Sequence, residues 1–352
     1  MITEIFLAPH ELRNRIAVVT GGSAGVGRAV ALKLGMAGVK VGLIAREADA
    51  LNALRTEIVS RGGQAFAASA DVADPEAVFA AAQEIESELG PISLWINDAM
   101  VTVFSPVAEM QPEEFRRVTE VTYLGCVHGT MAALRHMGPR DFGTIIQIGS
   151  ALAYRGIPLQ SAYCGAKHAI RGFTDSLRTE LLHEGSQIQV TVVELPAVNT
   201  PQFDWARTHL ARSPRPVAPV FQPEAIAERV VHAARYPVRE YWLGRSTFLT
   251  ILGNFVAPGL LDRYLARTAV QGQQRSISVS RQRQDNLFHP VRGLHRQRGS
   301  FGHEAHERLV SVAGPLARLG IFVLGSGFAF GLGYMASQYR NSGRNRAVGS
   351  SQ

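Results

Sequence analysis

A glycine-rich turn between a short apolar strand and a helix constrains the fold of this chain most strongly. Residues 16–20 are apolar and mostly β-branched, and a helical pattern begins near Val30. Glycines between two such elements let the backbone pass close to a pyrophosphate, and the helix N-terminus offers free N–H groups. The pattern favours a dinucleotide site over a tight turn without a ligand. We assign to this site Gly21, Ser23, Gly25, Val26 and Gly27.

Strands and helices alternate after this turn. Apolar runs typical of strands recur at residues 40–45, 65–70, 92–96, 144–148 and 188–195. Helical patterns lie between them. Such alternation requires a parallel sheet covered by helices on both faces, so the sequence predicts an α/β fold with one domain over residues 1–250.

Tyr163 and Lys167 stand four residues apart in a helical pattern. At this spacing their side chains share one face of the helix. A phenol has an ordinary pKa of about 10, and a neighbouring ammonium favours the phenolate and lowers that pKa. Ser150 follows the run 144–148 and offers a hydroxyl that can donate to a carbonyl oxygen. The three residues predict acid–base chemistry on a carbonyl group, although a Tyr–Lys pair at this spacing also arises by chance.

Arg46 follows the second strand and bears on the choice of cofactor. An acidic residue there binds the ribose 2′-hydroxyl of NAD, whereas an arginine accommodates the 2′-phosphate of NADP. A guanidinium suits phosphate, and Ser23 can donate to the same group. The sequence therefore favours NADP(H) over NAD(H). The alternative is that Arg46 only begins a solvated helix beside Glu47.

Further small and polar residues follow the other strands at their carboxyl ends, where ligands bind in open α/β sheets. Asp71, for example, is placed where a side chain reaches an adenine ring. We assign to the same site Asp71, Val72, Asn97, Ala99, Pro196 and Thr200. The sequence has no cluster with metal-ligand spacing, so we expect no metal site.

Together these motifs resemble those of the short-chain dehydrogenase/reductase family over roughly residues 12–250. Each motif is weak alone, but their shared order and spacing are specific. The residues that carry the resemblance are Thr20, Gly21, Gly25, Gly27, Asp71, Val72, Asn97, Ala99, Ser150, Tyr163, Lys167, Pro196 and Thr200.

The resemblance implies a Rossmann-type doubly wound sheet of about seven strands and a nicotinamide cofactor in a catalytic domain over residues 1–250. It implies that Tyr163 is the acid or base, that Lys167 holds the nicotinamide ribose hydroxyls and that Ser150 polarises the substrate carbonyl. Thr200 would contact the nicotinamide carboxamide. Family members often form dimers or tetramers, so the resemblance also implies a homo-oligomer.

Several positions depart from the family pattern. Asp98 and Met100 interrupt the usual Asn-Asn-Ala-Gly stretch and place a carboxylate and a thioether beside the cofactor. Thr122 stands where many members have the helical asparagine of the proton relay, and a hydroxyl cannot hold a relay water in the same way. Ala197 replaces the usual glycine. A water or His128 would then connect the site to solvent.

Two loops are apolar where the family places its substrate pocket, namely residues 151–160 and 202–219. Their large apolar side chains are Leu152, Tyr154, Ile157, Leu159, Phe203 and Trp205. They favour a hydrophobic ketone, aldehyde or secondary alcohol, steroid-like or with an acyl chain, over a sugar or a charged acid. The alternative is that these side chains only cover the sheet.

The C-terminal part differs in charge. The formal net charge of +7 divides into −2 over residues 1–261 and +9 over residues 262–352. A basic tail suits anionic lipid or nucleic acid, or is a solvated linker. Aromatic residues do not interleave with the basic ones as single-stranded nucleic acid requires, so we expect no nucleic-acid partner.

The sequence beyond residue 250 divides into four segments. Residues 251–270 form an apolar segment that docks on the body, covers the pocket or lies on a membrane, and residues 271–314 read as a basic, disordered linker. Residues 315–340 contain an uncharged run that is long enough, at 319–339, to cross a hydrocarbon core of about 30 Å. Its alternative is a glycine-rich element packed on the body or a partner. Residues 341–352 are a basic tail.

Two hypotheses for the function follow. The first is an NADP(H)-dependent oxidoreductase that interconverts an apolar carbonyl compound and its secondary alcohol, with a cytoplasmic catalytic domain anchored to a membrane through residues 319–339. The second is a non-catalytic nucleotide-binding scaffold or sensor, which Asp98, Met100 and Thr122 would suit. The two cysteines, Cys126 and Cys164, make no disulfide framework and suit a reducing compartment.

Overall fold

The structure, a computed structural model, describes residues 10–280 and 282–320. Within these residues the chain forms fifteen strands and ten α-helices, besides short 3-10 and π-helical turns and a helical stretch over residues 314–320. The strands are β1 (Ile16–Thr20), β2 (Lys40–Ala45), β3 (Gln64–Ser69), β4 (Ile92–Asn97), β5 (Val103–Phe104), β6 (Thr144–Ser150), β7 (Gln189–Leu195), β8 (Ala197–Val198), β9 (Arg207–Thr208), β10 (Arg212–Pro214), β11 (Val220–Phe221), β12 (Glu240–Leu243), β13 (Gln274–Ser278), β14 (Ala305–His306) and β15 (Ser311–Ala313). The helices are α1 (Gly25–Met36), α2 (Ala48–Ser60), α3 (Pro75–Leu89), α4 (Pro112–Val118), α5 (Gly125–Met137), α6 (Ser161–His183), α7 (Gln202–Trp205), α8 (Pro223–Arg235), α9 (Gly244–Val256) and α10 (Pro258–Gly272).

Eight strands form one sheet in the order β15-β12-β7-β6-β4-β1-β2-β3. Seven of them are parallel, and β15 pairs antiparallel with β12 at the edge. The predicted parallel sheet of about seven strands is confirmed. After β3 the chain returns to the other side of β1, so the strand order reverses between β1 and β4. At such a reversal the connections diverge and leave a crevice for a ligand.

Helices cover both faces of the sheet. Helices α1, α2 and α8 pack on one face, and α3, α5 and α6 pack on the other. Every residue of β1 and β4 is buried because both faces of these central strands are covered. This burial explains why the strands appear in the sequence as continuous apolar runs and not as alternating ones.

Helices α4 and α5 are joined by a π-helical turn over Thr119–Leu124. Within this turn the Thr122 hydroxyl donates to the carbonyl oxygen of Val101 at 2.9 Å and accepts from the Val101 N–H at 3.1 Å. The turn packs against α6. Single π-helical turns of this kind frequently lie at functional sites.

Helices α9 and α10 follow the last parallel strand and pack on the loop after β6. Arg155 in this loop forms an ion pair with Asp262 and donates to the Asn254 side chain at 3.2 Å. Trp242, Ile251 and Ala317 form a small buried cluster nearby. Residues 251–270 therefore dock on the body of the protein.

Residues 271–314 differ from the disordered linker that their composition predicted. Their strands β13, β14 and β15 pair with β10, β11 and β12. Their buried apolar side chains are Leu287, Val291, Phe301 and Leu309. Main-chain pairing and a few isolated apolar residues hold this segment, and neither leaves a periodic pattern in the sequence.

The predicted membrane segment, residues 319–339, lies outside the described residues from residue 321 onward, as does the basic tail 341–352. Among the helices in the described ranges, none combines the length and the apolar content that crossing a membrane requires.

Candidate active site

The carboxyl ends of the parallel strands border a cavity of about 500 Å³. Residues from elements far apart in the sequence meet there. The predicted site residues that line it are Gly21, Ser23, Gly25, Val26, Arg46, Asp71, Val72, Ala99, Ser150, Tyr163, Lys167, Pro196 and Thr200. The structure thus places the predicted glycine turn and the predicted Ser–Tyr–Lys set around one cavity.

Two predicted cofactor residues, Gly27 and Asn97, do not line this cavity. Asn97 is buried, and its amide donates to the side chains of Thr130 at 3.1 Å and Gln147 at 2.9 Å. A Cβ atom at Gly27 would lie 2.8 Å from Asp98 Oδ2. Gly27 and Asn97 therefore support the residues around the cavity but do not line it.

The glycine turn forms one wall of the crevice. Gly21 has a φ of 73°, and a Cβ atom there would lie 2.8 Å from the Ala99 Cα atom, so only glycine fits without strain. Thr20 Oγ1 accepts hydrogen bonds from the N–H groups of Asp98 at 3.1 Å and Ala99 at 3.3 Å, which join the end of β1 to the end of β4. Helix α1 begins at Gly25, so the positive end of its dipole lies at the cavity.

Helix α6 presents Tyr163 and Lys167 to the cavity one turn apart. Lys167 Nζ lies 5.6 Å from the centroid of the Tyr163 ring and donates to the Ile148 carbonyl oxygen at 2.6 Å. Ser150 ends β6, and its hydroxyl oxygen accepts from the Leu152 N–H at 3.1 Å. The hydroxyl keeps its own hydrogen for a second partner.

Burial governs the acid–base state of the tyrosine and the lysine. It raises the pKa of Tyr163, and a hydrogen bond with the Ser150 side chain opposes that rise. It lowers the pKa of Lys167, and the groups that oppose this fall are Cys126, Asp98 and Glu194. The expected fall in the pKa of Tyr163 is therefore not found. The loss of solvation raises this pKa more than the hydrogen bond with Ser150 lowers it.

Two carboxyl groups adjoin this set. Burial raises the pKa of Asp98 to about 7, against the charge of Lys167 and a hydrogen bond from the Gly27 N–H. Burial and the charge of Glu240 raise the pKa of Glu194 to about 8. Asp98 lines the cavity at a position where the sequence departs from the family pattern. Carboxyl groups whose pKa is raised by burial are common at functional sites.

The two side chains considered for the proton relay are engaged elsewhere. The Thr122 hydroxyl both donates to and accepts from the backbone of Val101. His128 Nδ1 lies 2.9 Å from the Val72 carbonyl oxygen. Within the described ranges neither side chain makes a hydrogen bond with Lys167, whose ammonium binds the Ile148 carbonyl directly.

The apolar loops supply only part of the expected substrate pocket. Leu152, Ile157, Phe203 and Trp205 line the cavity, whereas Tyr154 and Leu159 do not. Tyr154 donates its hydroxyl to a carboxylate oxygen of Glu240 at 2.5 Å and packs against Trp242. Four of the six predicted apolar side chains therefore face the cavity.

Arg46 lies at the end of β2, as predicted, and lines the cavity. Its guanidinium donates to main-chain carbonyl oxygens of residues 286–288. Asp71, which lines the same cavity, forms an ion pair with Arg117. Both predicted cofactor residues therefore have protein partners in this structure.

The C-terminal part contributes lining residues that sequence reasoning missed. From α10 these are Leu261, Tyr264, Leu265 and Ala269, and from the following segment Asn286, Pro290, Val291 and His295. The only sequence signal for the second group was a few isolated apolar residues in a polar stretch. Residues 251–270 thus contact the loop after β6, and α10 lines part of the cavity.

The cavity fits a nicotinamide dinucleotide at its glycine turn. The turn has no space for side chains at Gly21 or Gly27, and the N-terminus of α1 borders the cavity, which is what close approach of a pyrophosphate requires. The volume lies within the range of small-molecule sites.

Comparisons with known proteins agree with this geometry. The family profile described as short chain dehydrogenase matches residues 15–210. The chain is 30% identical over 287 residues to the uncharacterised oxidoreductase YxnA of Bacillus subtilis (strain 168), covering 81% of each protein. It is 37% identical over 193 residues to dehydrogenase/reductase SDR family member 7B of Mus musculus, covering 54% of this chain and 59% of that one.

Two further comparisons concern substrate and cofactor. A fatty acyl-CoA reductase of Acinetobacter baylyi (strain ATCC 33305 / BD413 / ADP1) is 28% identical over 288 residues, covering 79% of this chain and 95% of that one. A crystal structure of a metagenomic short-chain oxidoreductase in complex with NADP superposes with a TM-score of 0.55 at 28% identity, covering 66% of this chain and 97% of that one. With the profile match over more than half of the chain, the predicted family is confirmed: the protein is an oxidoreductase that belongs to the short-chain dehydrogenase/reductase family.

Proposed function

We propose that this oxidoreductase interconverts an apolar carbonyl compound and its secondary alcohol with NADP(H). The observation that carries the proposal is the meeting of Ser150, Tyr163 and Lys167 with the glycine turn around one cavity. Family membership favours such an enzyme over the non-catalytic scaffold.

NADP(H), when bound, would supply or accept the hydride. The N–H groups at the start of α1 would hold its pyrophosphate, and Arg46 its 2′-phosphate. Asp71 and Val72 would lie at the adenine, and Lys167 would hold the ribose hydroxyls beside the nicotinamide. Support for NADP(H) comes from Arg46 and from the NADP complex of the similar metagenomic enzyme.

The chain's own groups would act on the carbonyl oxygen. The Ser150 hydroxyl would donate a hydrogen bond to this oxygen and stabilise the negative charge that develops there during reduction. Tyr163 would donate its proton to the same oxygen and take a proton back in the oxidation. Its raised pKa supports the role of proton donor, because it keeps the phenol protonated at neutral pH.

The substrate that the cavity suits is apolar. Leu152, Ile157, Phe203 and Trp205 form one side, and α10 adds Leu261 and Leu265. The similarity to a fatty acyl-CoA reductase supports an acyl-chain substrate. A steroid-like ketone fits the same apolar lining.

A panel of carbonyl compounds tests this proposal with the full-length protein. Long-chain and polycyclic ketones are compared with sugars and charged oxo acids, and the loss of NADPH or NADH absorbance is followed. We expect turnover of the apolar compounds with NADPH. Turnover of only sugars or oxo acids would contradict the substrate class, and turnover of no carbonyl compound would contradict the function.

Two further proposals rest on the sequence alone. Residues 319–339 would anchor the chain to a membrane, and the chain would form a homo-oligomer as other family members do. Flotation of the full-length protein with lipid vesicles tests the first, and its sedimentation velocity in detergent tests the second.

A further inference from the structure

Residues 283–301, which we call the strap, are fastened along the dinucleotide side of the cavity. Leu287 is fully buried and belongs to the core cluster beneath α3 and α5. Arg117 Nε donates to the Leu287 carbonyl oxygen at 3.2 Å. Asp285 accepts from the Leu287 N–H at 3.1 Å and pairs with Arg207 at 3.0 Å. The strap is therefore anchored by both packing and charge.

The first point at which the strap meets the dinucleotide site is Arg46. One terminal nitrogen of the guanidinium donates to the Asn286 carbonyl oxygen at 2.5 Å. The other donates to the carbonyl oxygens of Phe288 at 3.1 Å and Leu287 at 3.4 Å. A carbonyl oxygen and a phosphate oxygen are both acceptors, so they compete for the same N–H groups. These three bonds engage both terminal nitrogens of Arg46, so a 2′-phosphate has to compete with the strap for their N–H groups.

The second point is the start of α1. The Gly25 N–H, in the first residue of the helix, donates to the Arg296 carbonyl oxygen at 3.0 Å. This N–H is one of the free donors that make a helix N-terminus a phosphate site. The strap therefore satisfies donors at both phosphate positions of the dinucleotide site, through two of its own main-chain stretches.

From these contacts, and resting on the proposed function, we propose that the strap competes with NADP(H) for Arg46 and Gly25. Residues 286–296 are then determinants of cofactor affinity and of the choice between NADP(H) and NAD(H). NADP(H) has to displace the strap at both points, whereas NAD(H), which lacks the 2′-phosphate, has to displace it only at Gly25. The strap therefore lowers the affinity for NADP(H) more than the affinity for NAD(H).

The size of the effect follows from the fraction of molecules in which the strap is released. A ligand that binds only the released form has its apparent Kd raised by the inverse of that fraction, so an engaged strap in nine of ten molecules weakens binding about tenfold. Loosening the strap increases the released fraction and so lowers the apparent Kd.

Two variants loosen the strap and one serves as a control. Leu287→Ala removes the buried anchor. Asp285→Ala removes the acceptor of the Leu287 N–H and the ion-pair partner of Arg207, and it leaves the core unchanged. Val310→Ala is the matched control, since Val310 lies in the same C-terminal part and is 63% exposed. Dissociation constants for NADP⁺ and NAD⁺ are measured by isothermal titration calorimetry. Hydrogen exchange of residues 286–296 is followed with and without NADP⁺.

We expect Leu287→Ala and Asp285→Ala to bind NADP⁺ about tenfold more tightly, with a smaller gain for NAD⁺ and no change in Val310→Ala. NADP⁺ should also speed hydrogen exchange in residues 286–296 of the unaltered protein. Weaker or unchanged NADP⁺ binding by the two variants, or slower exchange with NADP⁺, would overturn the inference. Failure of all forms to bind either dinucleotide would instead overturn the proposed function, and the inference with it.

Discussion

Lys167 Nζ donates a 2.6 Å hydrogen bond to the main-chain carbonyl oxygen of Ile148. Ile148 lies in β6, two residues before Ser150, so this bond ties helix α6 to the strand that carries the serine. Lys167 is 4% exposed, and its ammonium reaches this carbonyl without an intervening side chain. It thus fixes the relative position of the helix and the strand that carry the proposed site.

Replacement of Lys167 by methionine should separate folding from activity. The variant loses the bond to Ile148, but it also loses the cost of burying a cation, and these two effects oppose each other. We expect the free energy of unfolding to change by less than about 2 kcal/mol, while carbonyl reduction falls at least about 100-fold. Thermal unfolding measures the change in stability, and steady-state kinetics measure the change in carbonyl reduction. Lys33→Met is the control, because Lys33 is exposed on α1; turnover by Lys167→Met equal to that of this control would contradict the assignment.

A methyl group at Gly27 should disrupt the glycine turn. A Cβ atom there would lie 2.8 Å from Asp98 Oδ2 and closer still to the Gly21 carbonyl oxygen. We expect Gly27→Ala to lower the free energy of unfolding by about 1–3 kcal/mol and to weaken dinucleotide binding. Gly165→Ala is the matched control, because Gly165 lies exposed in the second turn of α6 with no atom within 4 Å of an added Cβ. That change should stabilise the protein by about 0.5–1 kcal/mol, and equal effects of the two substitutions would contradict the geometry of the turn.

Glu194 should make the stability of the protein depend on pH. Its pKa in the folded protein is raised to about 8 from an ordinary value of 4.5, first by burial and then by the charge of Glu240. The folded state therefore holds this proton more tightly than the unfolded state. The contribution of this proton to the free energy of unfolding is fully present below about pH 4.5. It is lost as the pH rises toward about 8.

Glu194→Gln removes this dependence, because the glutamine amide does not ionise. Denaturant unfolding of both proteins between pH 5 and pH 9 is the measurement. We expect the unaltered protein to lose about 3–5 kcal/mol relative to the variant as the pH rises through this range. Parallel stability curves for the two proteins would show that Glu194 titrates normally.

Local patterns predicted the fold where the structure depends on local features. The strand–glycine–helix unit from β1 to α1 and the alternation of apolar strands with helices led to the parallel sheet. Tyr163 and Lys167 could be placed together because a helix repeats every 3.6 residues. These features depend on neighbours in the chain, so the sequence displays them directly.

The C-terminal part could not be predicted in this way. The contact between Arg46 and Asn286 joins residues 240 positions apart through a main-chain oxygen, which has no signature in the side-chain pattern. The antiparallel strand β15 spans three residues and shows no alternation. The rise in the pKa of Tyr163 likewise depends on burial, which the spacing of Tyr163 and Lys167 does not reveal.

The most direct test of the proposed chemistry is the substitution Tyr163→Phe, measured by turnover of the best carbonyl substrate and by calorimetric NADP⁺ binding. Tyr236→Phe is the control, because it removes a phenol from a partly exposed site away from the cavity. If the phenol is the proton donor, turnover falls by about 100- to 10,000-fold while the dissociation constant for NADP⁺ stays the same. Turnover equal to that of the control would contradict the central claim.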